Sequence, residues 1–405
     1  MEPIDKTEIR NRAAKILHTL KPITIFENLY GIFKFNLVNG VLRPPNWKLK
    51  TVAVIYMSIF CYLYVVKHYS DQFVESTTKW SREYIMKQVP AWFVLIQYVV
   101  SCLKATFPDK SKSDIHIIKT FAELDCLLHF ETLNRFYAKS RSRTNILVLF
   151  LLIYHLLNFV LDIFSDYDYP RVFLEAHIYL VQKLQIVGFF RLMSMVTQRL
   201  DIINGCLNKF ILEQERANTT VFSITERQKR MKDKFNFIGH PSESNVQIRN
   251  LALMYNIIGK QCCMINELHN FKFFMILLAA FGYVVVTIWT ALSYYQTQQF
   301  NATGIVIIAI WCLSTICNLT AMAWACEALR RERRKTKISV NMIVMDYSLP
   351  KTMRVQAKAF MELIEAWPLR ICIYDIFSID ITLLLKFISV STTYLIVLIQ
   401  IYHLI

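Results

Sequence analysis

Glycine and proline are scarce in this chain, eight and ten among 405 residues, whereas 55% of its residues are hydrophobic. So few turn formers with so much apolar material point to a helical membrane protein rather than a soluble one. Catalytic signatures are missing as well. There is no His-Glu-x-x-His and no Gly-x-Ser-x-Gly, and His155 and His177 each stand alone within an apolar run, so no enzyme is expected. No apolar run stands near the start. The first opens near Thr51, too late for a secretory signal peptide, and the first membrane span is expected to serve as the signal anchor. Carboxylates are outnumbered, 30 Asp and Glu against 46 Lys and Arg, for a formal net charge of +16.

Seven runs are long enough to span a bilayer: 51–66, 85–103, 145–164, 172–197, 272–295, 304–327 and 379–401. The first is short and the fourth is polar. With these boundaries, 37 Lys and Arg fall in the N-terminus and the second, fourth and sixth loops, and only four in the first, third and fifth loops. The positive-inside rule places the larger group in the cytosol. The N-terminus is then cytoplasmic and, after seven spans, the C-terminus is extracellular. The expected fold is all-α, a seven-transmembrane helical protein of inverted topology with helices extended into the cytosol. Its parts are a cytoplasmic N-terminus (1–50), spans one to six with their cytoplasmic extensions (51–327), a basic cytoplasmic loop and helices (328–378), and the seventh helix (379–405).

This topology accounts for the basic charge through cytosolic loops beside an anionic lipid leaflet. Nucleic acid is not an expected partner, because the run Arg330-Arg331-Glu332-Arg333-Arg334-Lys335 continues directly from a span. None of the ten cysteines falls in an outer loop, so structural disulfides are not expected. Cys262 and Cys263 are adjacent, without zinc-site spacing or a histidine partner, so no metal or other cofactor is expected.

The N-terminal fifty residues read as amphipathic and basic, with Trp47 and Lys48 as interfacial anchors. The apolar period Ile118, Phe121, Leu124, Leu128 predicts a helix over 115–136 running toward the third span. A second period, Leu251, Met254, Ile258, Cys262, Ile265, Leu268, precedes the fifth span. The polar stretch 218–244 between them reads as a mobile loop.

Polar residues inside the spans mark where ligand chemistry could lie, since lipid does not satisfy them. His155, Asn158 and Asp162 share a face of the third span at i, i+3 and i+7. The fourth carries Glu175, His177, Tyr179, Gln182, Lys183 and Gln185. Trp289, Tyr294 and Tyr295 on the fifth span, and Trp311, Thr315 and Asn318 on the sixth, could supply aromatic walls and polar groups for a small-molecule pocket. Each residue alone is equally an interhelical bond or an interfacial anchor. The candidate ligand set is His155, Asn158, Asp162, Tyr179, Gln182, Trp289, Trp311 and Thr315. One glycosylation sequon lies in an outer loop, at Asn301-Ala302-Thr303.

The last helix has a pattern of its own. Thr382, Lys386, Ser389, Thr393 and Gln400 advance by four, three, four and seven positions, the spacing of one helical face. That stripe either packs on protein or lines a water path. Within it, Thr393-Tyr394-Leu395-Ile396-Val397-Leu398-Ile399-Gln400 resembles the C-terminal signature of insect gustatory receptors, Thr-Tyr, five apolar residues, Gln-Phe, with Ile401 in place of the Phe. Phe377-Ser378-Ile379-Asp380 followed by Leu383-Leu384 is similar to that family's approach to its last helix. The motif resemblance covers about the last 30 residues; the remainder agrees in architecture.

The resemblance implies a ligand-gated, nonselective cation channel subunit that detects small-molecule tastants. It implies a homo- or hetero-tetramer of gustatory receptors, joined through a cytosolic layer, in the plasma membrane of a sensory neuron dendrite. It places the pore and gate at Gln400, Thr393, Ile396, Val397 and Ser389, and Lys386 near the stripe's cytosolic end. Sugar receptors of the family usually carry Glu where this chain has Leu395, which favours bitter or aversive ligands. A seven-span G-protein-coupled receptor and a secondary transporter are the alternatives. The first lacks Asp-Arg-Tyr after the third span and Asn-Pro-x-x-Tyr in the last; the second would need internal repeats with paired broken helices, and none is seen.

Overall fold

A computed structural model describes residues 6–38, 41–76, 82–107, 114–128, 133–165, 169–221, 243–297 and 302–404. The elements in chain order are α1 (Lys6–Leu29), the strands β1 (Asn36–Val38) and β2 (Val41–Arg43), then α2 (Trp47–Ser76), α3 (Arg82–Thr106), α4 (Asp114–Leu127), α5 (Leu133–Ser165) and α6 (Tyr169–Val221). There follow α7 (Glu243–Thr297), α8 (Ala302–Met345), α9 (Lys351–Ala366), the two-residue strands β3 (Cys372–Ile373) and β4 (Phe377–Ser378), and α10 (Ile381–Leu404). The described residues are therefore almost wholly helical, with two small antiparallel hairpins.

Among the described residues, five helical stretches are long and apolar enough to cross a membrane: Trp47–Ser70, Val89–Thr106, Phe136–Ile163, Val246–Ile288 and Cys312–Met345, with a shorter apolar stretch, Ile381–Val397, on α10. The polar fourth run, 172–197, is helical but is not among them, because its carboxylate, amide and cationic side chains lower its hydropathy. Burial compensates. Every residue from His177 to Ile186 is buried, so this part of α6 is wrapped by other helices. By contrast α5 presents Ile146, Leu149, Phe150, Ile153, Leu156 and Leu157 outward, each more than half exposed, as a lipid-facing helix does.

The chain divides into two compact units. One comprises Met1–Arg191, Ile265–Trp324 and Cys372–Ile405, the other Leu192–Met264 and Ala325–Ile371. In the first, α1 packs against α4 and α5. Its core joins Phe60 and Tyr64 of α2, Val94 and Tyr98 of α3, Ile178 and Val181 of α6 and Ala279 of α7. A Schellman turn stops α1: Ile32 N–H donates to Glu27 O at 2.9 Å and Gly31 N–H to Asn28 O at 3.1 Å. Gly31 supplies the positive φ, 79°, that this motif requires. Beyond the turn, Lys34 Nζ sits 2.6 Å from Glu27 Oε1 and 4.0 Å from Asp114. Burial alone would lower the Lys34 pKa, but the two carboxylates outweigh it and hold it above the ordinary lysine value.

The second unit has a core drawn from α6, α7, α8 and α9. The amphipathic α9 buries Met353, Ala357, Phe360 and Ile364, one face at helical spacing. Leu251, Met254, Ile258 and Cys262 of α7 are buried as their period predicts, and the last two of that period, Ile265 and Leu268, belong to the first unit. A buried polar network links α6 to α8. Asn204 Nδ2 donates to both the backbone and the carboxylate of Glu332, each at 3.0 Å, and Thr336 Oγ1 donates to Asn204 Oδ1 at 2.6 Å. Gly259 lies against the Trp367 ring so closely that an added Cβ would stand 2.5 Å from Trp367 Cγ. Trp367 is fixed there by Nε1–H donating to Asn256 Oδ1 at 2.9 Å, with Tyr255 OH donating to its carbonyl at 3.0 Å.

Two sequence expectations are refined. The helix predicted over 115–136 ends at Leu127, and α5 opens separately at Leu133. Stretch 218–244, read as a loop, is helical at both margins, since α6 runs to Val221 and α7 starts at Glu243, while 222–242 lies outside the described residues.

Candidate functional site

Polar residues of α6 reach across the interior of the first unit to neighbouring helices. Gln182 Nε2 donates to Gln97 Oε1 of α3 at 3.1 Å, and Gln97 Nε2 donates in turn to Gln185 Oε1 at 3.0 Å. Ser101 Oγ donates to the Gln97 carbonyl at 2.7 Å and lies 3.3 Å from Gln185 Oε1. All four are buried. The amide run closes on one side only, because Gln185 Nε2 is a buried donor with no hydrogen-bond partner among the described residues. One turn before Gln182, Tyr179 receives the hydroxyl of Tyr283 from α7, their rings 5.9 Å apart.

His177, half a turn further toward the start of α6, sits in an aromatic cage. Its ring stacks on Phe60 at 4.1 Å and meets Tyr30 edge-on at 4.6 Å, with Tyr98 at 5.6 Å and Tyr56 at 5.9 Å. The cage residues come from α2, α3 and the end of α1. Amide groups and aromatic faces side by side are the furniture of small-molecule recognition.

The sequence-predicted ligand residues do not all meet. Asn158 is buried but turns back on its own helix, donating to the Tyr154 carbonyl at 2.8 Å. His155 and Asp162 are half-buried on the same helix, and Lys183 of α6 interacts electrostatically with both while its ammonium lies 4.8 Å from the Tyr154 ring centre. Tyr179 and Gln182 instead face α7 and α3. Thr315 is buried on α8. The side chains of Trp289 and Trp311 lie outside the described residues, as does Asn301. Gln97, Ser101, Gln185 and Tyr283 complete the interior network; Gln97 and Gln185 stand out in the sequence as amides inside apolar runs, whereas Ser101 and Tyr283 give no such signal.

The C-terminal helix presents the other half of the geometry. Asp380 caps its start: Oδ1 accepts Thr382 N–H at 2.9 Å and Leu383 N–H at 3.2 Å, and Thr382 Oγ1 bonds the same oxygen. Along α10, Leu383, Leu384, Phe387, Ser391 and Leu395 are half-buried, and the Tyr394 ring meets Phe281 of α7 at 5.0 Å. Thr382, Lys386, Ser389, Thr393 and Gln400 are all exposed. At about 100° per residue the two sets point roughly 160° apart, so the polar stripe faces away from the body that α10 packs on. Ile396 and Val397, 52% and 42% exposed, flank it. Thr393 Oγ1 donates to the Ser389 carbonyl at 3.0 Å, which keeps the hydroxyl satisfied on an uncovered face.

Similar proteins bear on this architecture. The insect olfactory receptor OR5 from Machilis hrabei superposes with a TM-score of 0.62 at 10% identity, over 94% of this chain and 97% of that one. Its complex with eugenol gives 0.61 at 12% identity, with the same coverage. At such identity the likeness is one of fold. Among curated proteins none matches the sequence. The profile of the 7tm Chemosensory receptor family matches residues 20–404, nearly the whole chain, and the chain belongs to that family of multi-pass membrane receptors.

Proposed function

We propose that this protein is a gustatory-type chemoreceptor subunit, a ligand-gated nonselective cation channel of the plasma membrane in sensory dendrites. Four copies, identical or mixed with other gustatory receptors, surround a pore lined by the polar face of α10. The observation that carries the reading is that exposed stripe, opposite the packed face of the same helix and bearing the Thr393 to Gln400 signature. A membrane helix leaves hydroxyl and amide groups uncovered by its own chain when another copy or water covers them. Gln400, Thr393 and Ser389, flanked by Ile396 and Val397, form the pore and gate.

The ligand is a small organic molecule, bitter or aversive rather than a sugar, with His155, Asn158, Asp162, Tyr179, Gln182, Trp289, Trp311 and Thr315 as the candidate contacts. The eugenol complex of the similar olfactory receptor supports this chemical class. Gln97, Gln185 and Tyr283 join the candidates through the interior network. Asn301 is the proposed glycosylation site. The parts of the chain act as a cytoplasmic N-terminus, a ligand-binding region, a cytoplasmic layer joining the subunits and a pore helix.

Whole-cell recording from cells expressing only this chain tests the reading against a panel of bitter compounds and sugars. Expected is a ligand-evoked cation current that persists when G-protein signalling is blocked. A response abolished by that block would overturn the channel assignment. A response to sugars alone would overturn the ligand class.

A further inference from the structure

We infer that a cleft between α1 and the base of α5 binds the headgroup of an anionic phospholipid from the cytosolic leaflet. The cleft has a volume of about 690 Å³, within the ~300–1,000 Å³ usual for small-molecule sites. Lys15 on α1 and Arg141 on α5 supply its charge, and His18, one turn from Lys15, adds an imidazole. Ser142, Asn145 and Thr19 add polar groups, and among the described residues no carboxylate lines it. The two walls are tied together where Arg141 Nη1 meets His18 Nδ1 at 3.3 Å. Among the described acids, Glu8 bonds Arg12, and Asp125 lies fully buried behind Tyr137, whose hydroxyl it accepts.

A lipid fits this site better than a soluble phosphate because of what adjoins it. Beyond Ser142, the same face of α5 continues with Ile146 and Phe150, 63% and 70% exposed, at i+4 and i+8. On α1 the face of His18 continues to Ile25, 53% exposed. A charged cleft thus opens onto two greasy strips, the arrangement that a phosphate-bearing headgroup with acyl chains requires. The basic tally that orients the chain puts this end of α5 on the cytosolic side, where anionic lipids concentrate. A guanidinium and an ammonium facing one phosphomonoester supply the fork and the point charge that such groups bind.

The test titrates the full-length receptor in detergent micelles with acyl-labelled phosphatidylinositol bisphosphate. Lys15→Ala combined with Arg141→Ala should weaken binding roughly thirtyfold, as removal of two juxtamembrane charges implies. Lys351→Ala combined with Lys358→Ala, two exposed cations elsewhere, should leave it unchanged. Ala138→Trp fills the cleft with every charge retained and should weaken binding as well, which separates site occupancy from charge. Unlabelled lipid should displace the probe, and phosphatidylcholine should not. Unchanged binding in the cleft variants overturns the site, as does equal loss in both double variants. Displacement by free inositol phosphate as effective as by whole lipid overturns the lipid assignment.

Discussion

At the scale of single residues, the interior amides give the clearest dependence. Gln97 accepts from Gln182 and donates to Gln185, so Gln97→Leu strands one donor and removes a donor from the other partner. Each buried group left unsatisfied costs about 1–3 kcal/mol. The thermal midpoint of the detergent-solubilised receptor should fall; an unchanged midpoint would mean that water replaces the lost amide. Gly259→Ala acts through volume instead. A methyl 2.5 Å from Trp367 Cγ must displace the ring and loosen its bond to Asn256, at about 1–3 kcal/mol for overpacking. A melting scan of Gly259→Ala beside Trp367→Leu with Gly259→Ala checks this, because shrinking the ring should recover part of the loss. These partners were only half legible in the sequence. Spacing placed His155, Asn158 and Asp162 on one helical face, but spacing does not say whether an amide reaches across to a neighbour, as Gln182 does, or back to its own carbonyls, as Asn158 does. The cage around His177 gave no signal, since Tyr30, Tyr56, Phe60 and Tyr98 come from three separate segments.

At the scale of elements, apolar period and length carried most of the fold. Six of the seven predicted spans lie within helices, the seventh, 379–401, begins two residues ahead of α10, and the polar stripe of that last helix is exposed as a set. The hairpins escaped notice, although the first carries the usual two-residue turn signal, Asn39-Gly40, between its strands; the second departs from that chemistry. In the second, Tyr374 and Asp375 take positive φ of 48° and 57° without a glycine or asparagine. Their backbone is held from outside: Asn266 Oδ1 accepts Cys372 N–H at 3.0 Å and Asn270 Oδ1 accepts Tyr374 N–H at 2.9 Å, two asparagines one turn apart on α7. This hairpin delivers the chain to Asp380, where Ser378 Oγ donates to the capping carboxylate at 3.1 Å. Asp380→Ala should cost about 0.5–2 kcal/mol, and Asp380→Asn much less, since the amide oxygen still accepts. Thermal midpoints of the two variants rank them. Under the proposed pore, Gln400→Ala should raise resting current or alter ion selectivity with near-normal surface expression, whereas Leu395→Ala, on the packed face, should reduce assembly. Paired recording and surface biotinylation distinguish them. Altered permeation in Leu395→Ala alone would put the conduction face on the wrong side of α10.

For the whole molecule, the uneven distribution of Lys and Arg fixes an orientation that can be checked without any ligand. An epitope added after Ile405 should stain on intact cells, and one before Met1 only after permeabilisation. The reverse pattern would turn the basic α1–α5 cleft outward and remove the stripe from the arrangement proposed. The uncovered face of α10 also bears on inheritance. If a shared axis is formed by one helix from each of several chains, a defective copy harms every assembly that it enters, not only its own share. An animal carrying one normal and one Gln400-substituted allele would then build mostly mixed pores, and the trait should pass as dominant. A truncation that removes α10 altogether, leaving nothing to insert, should pass as recessive.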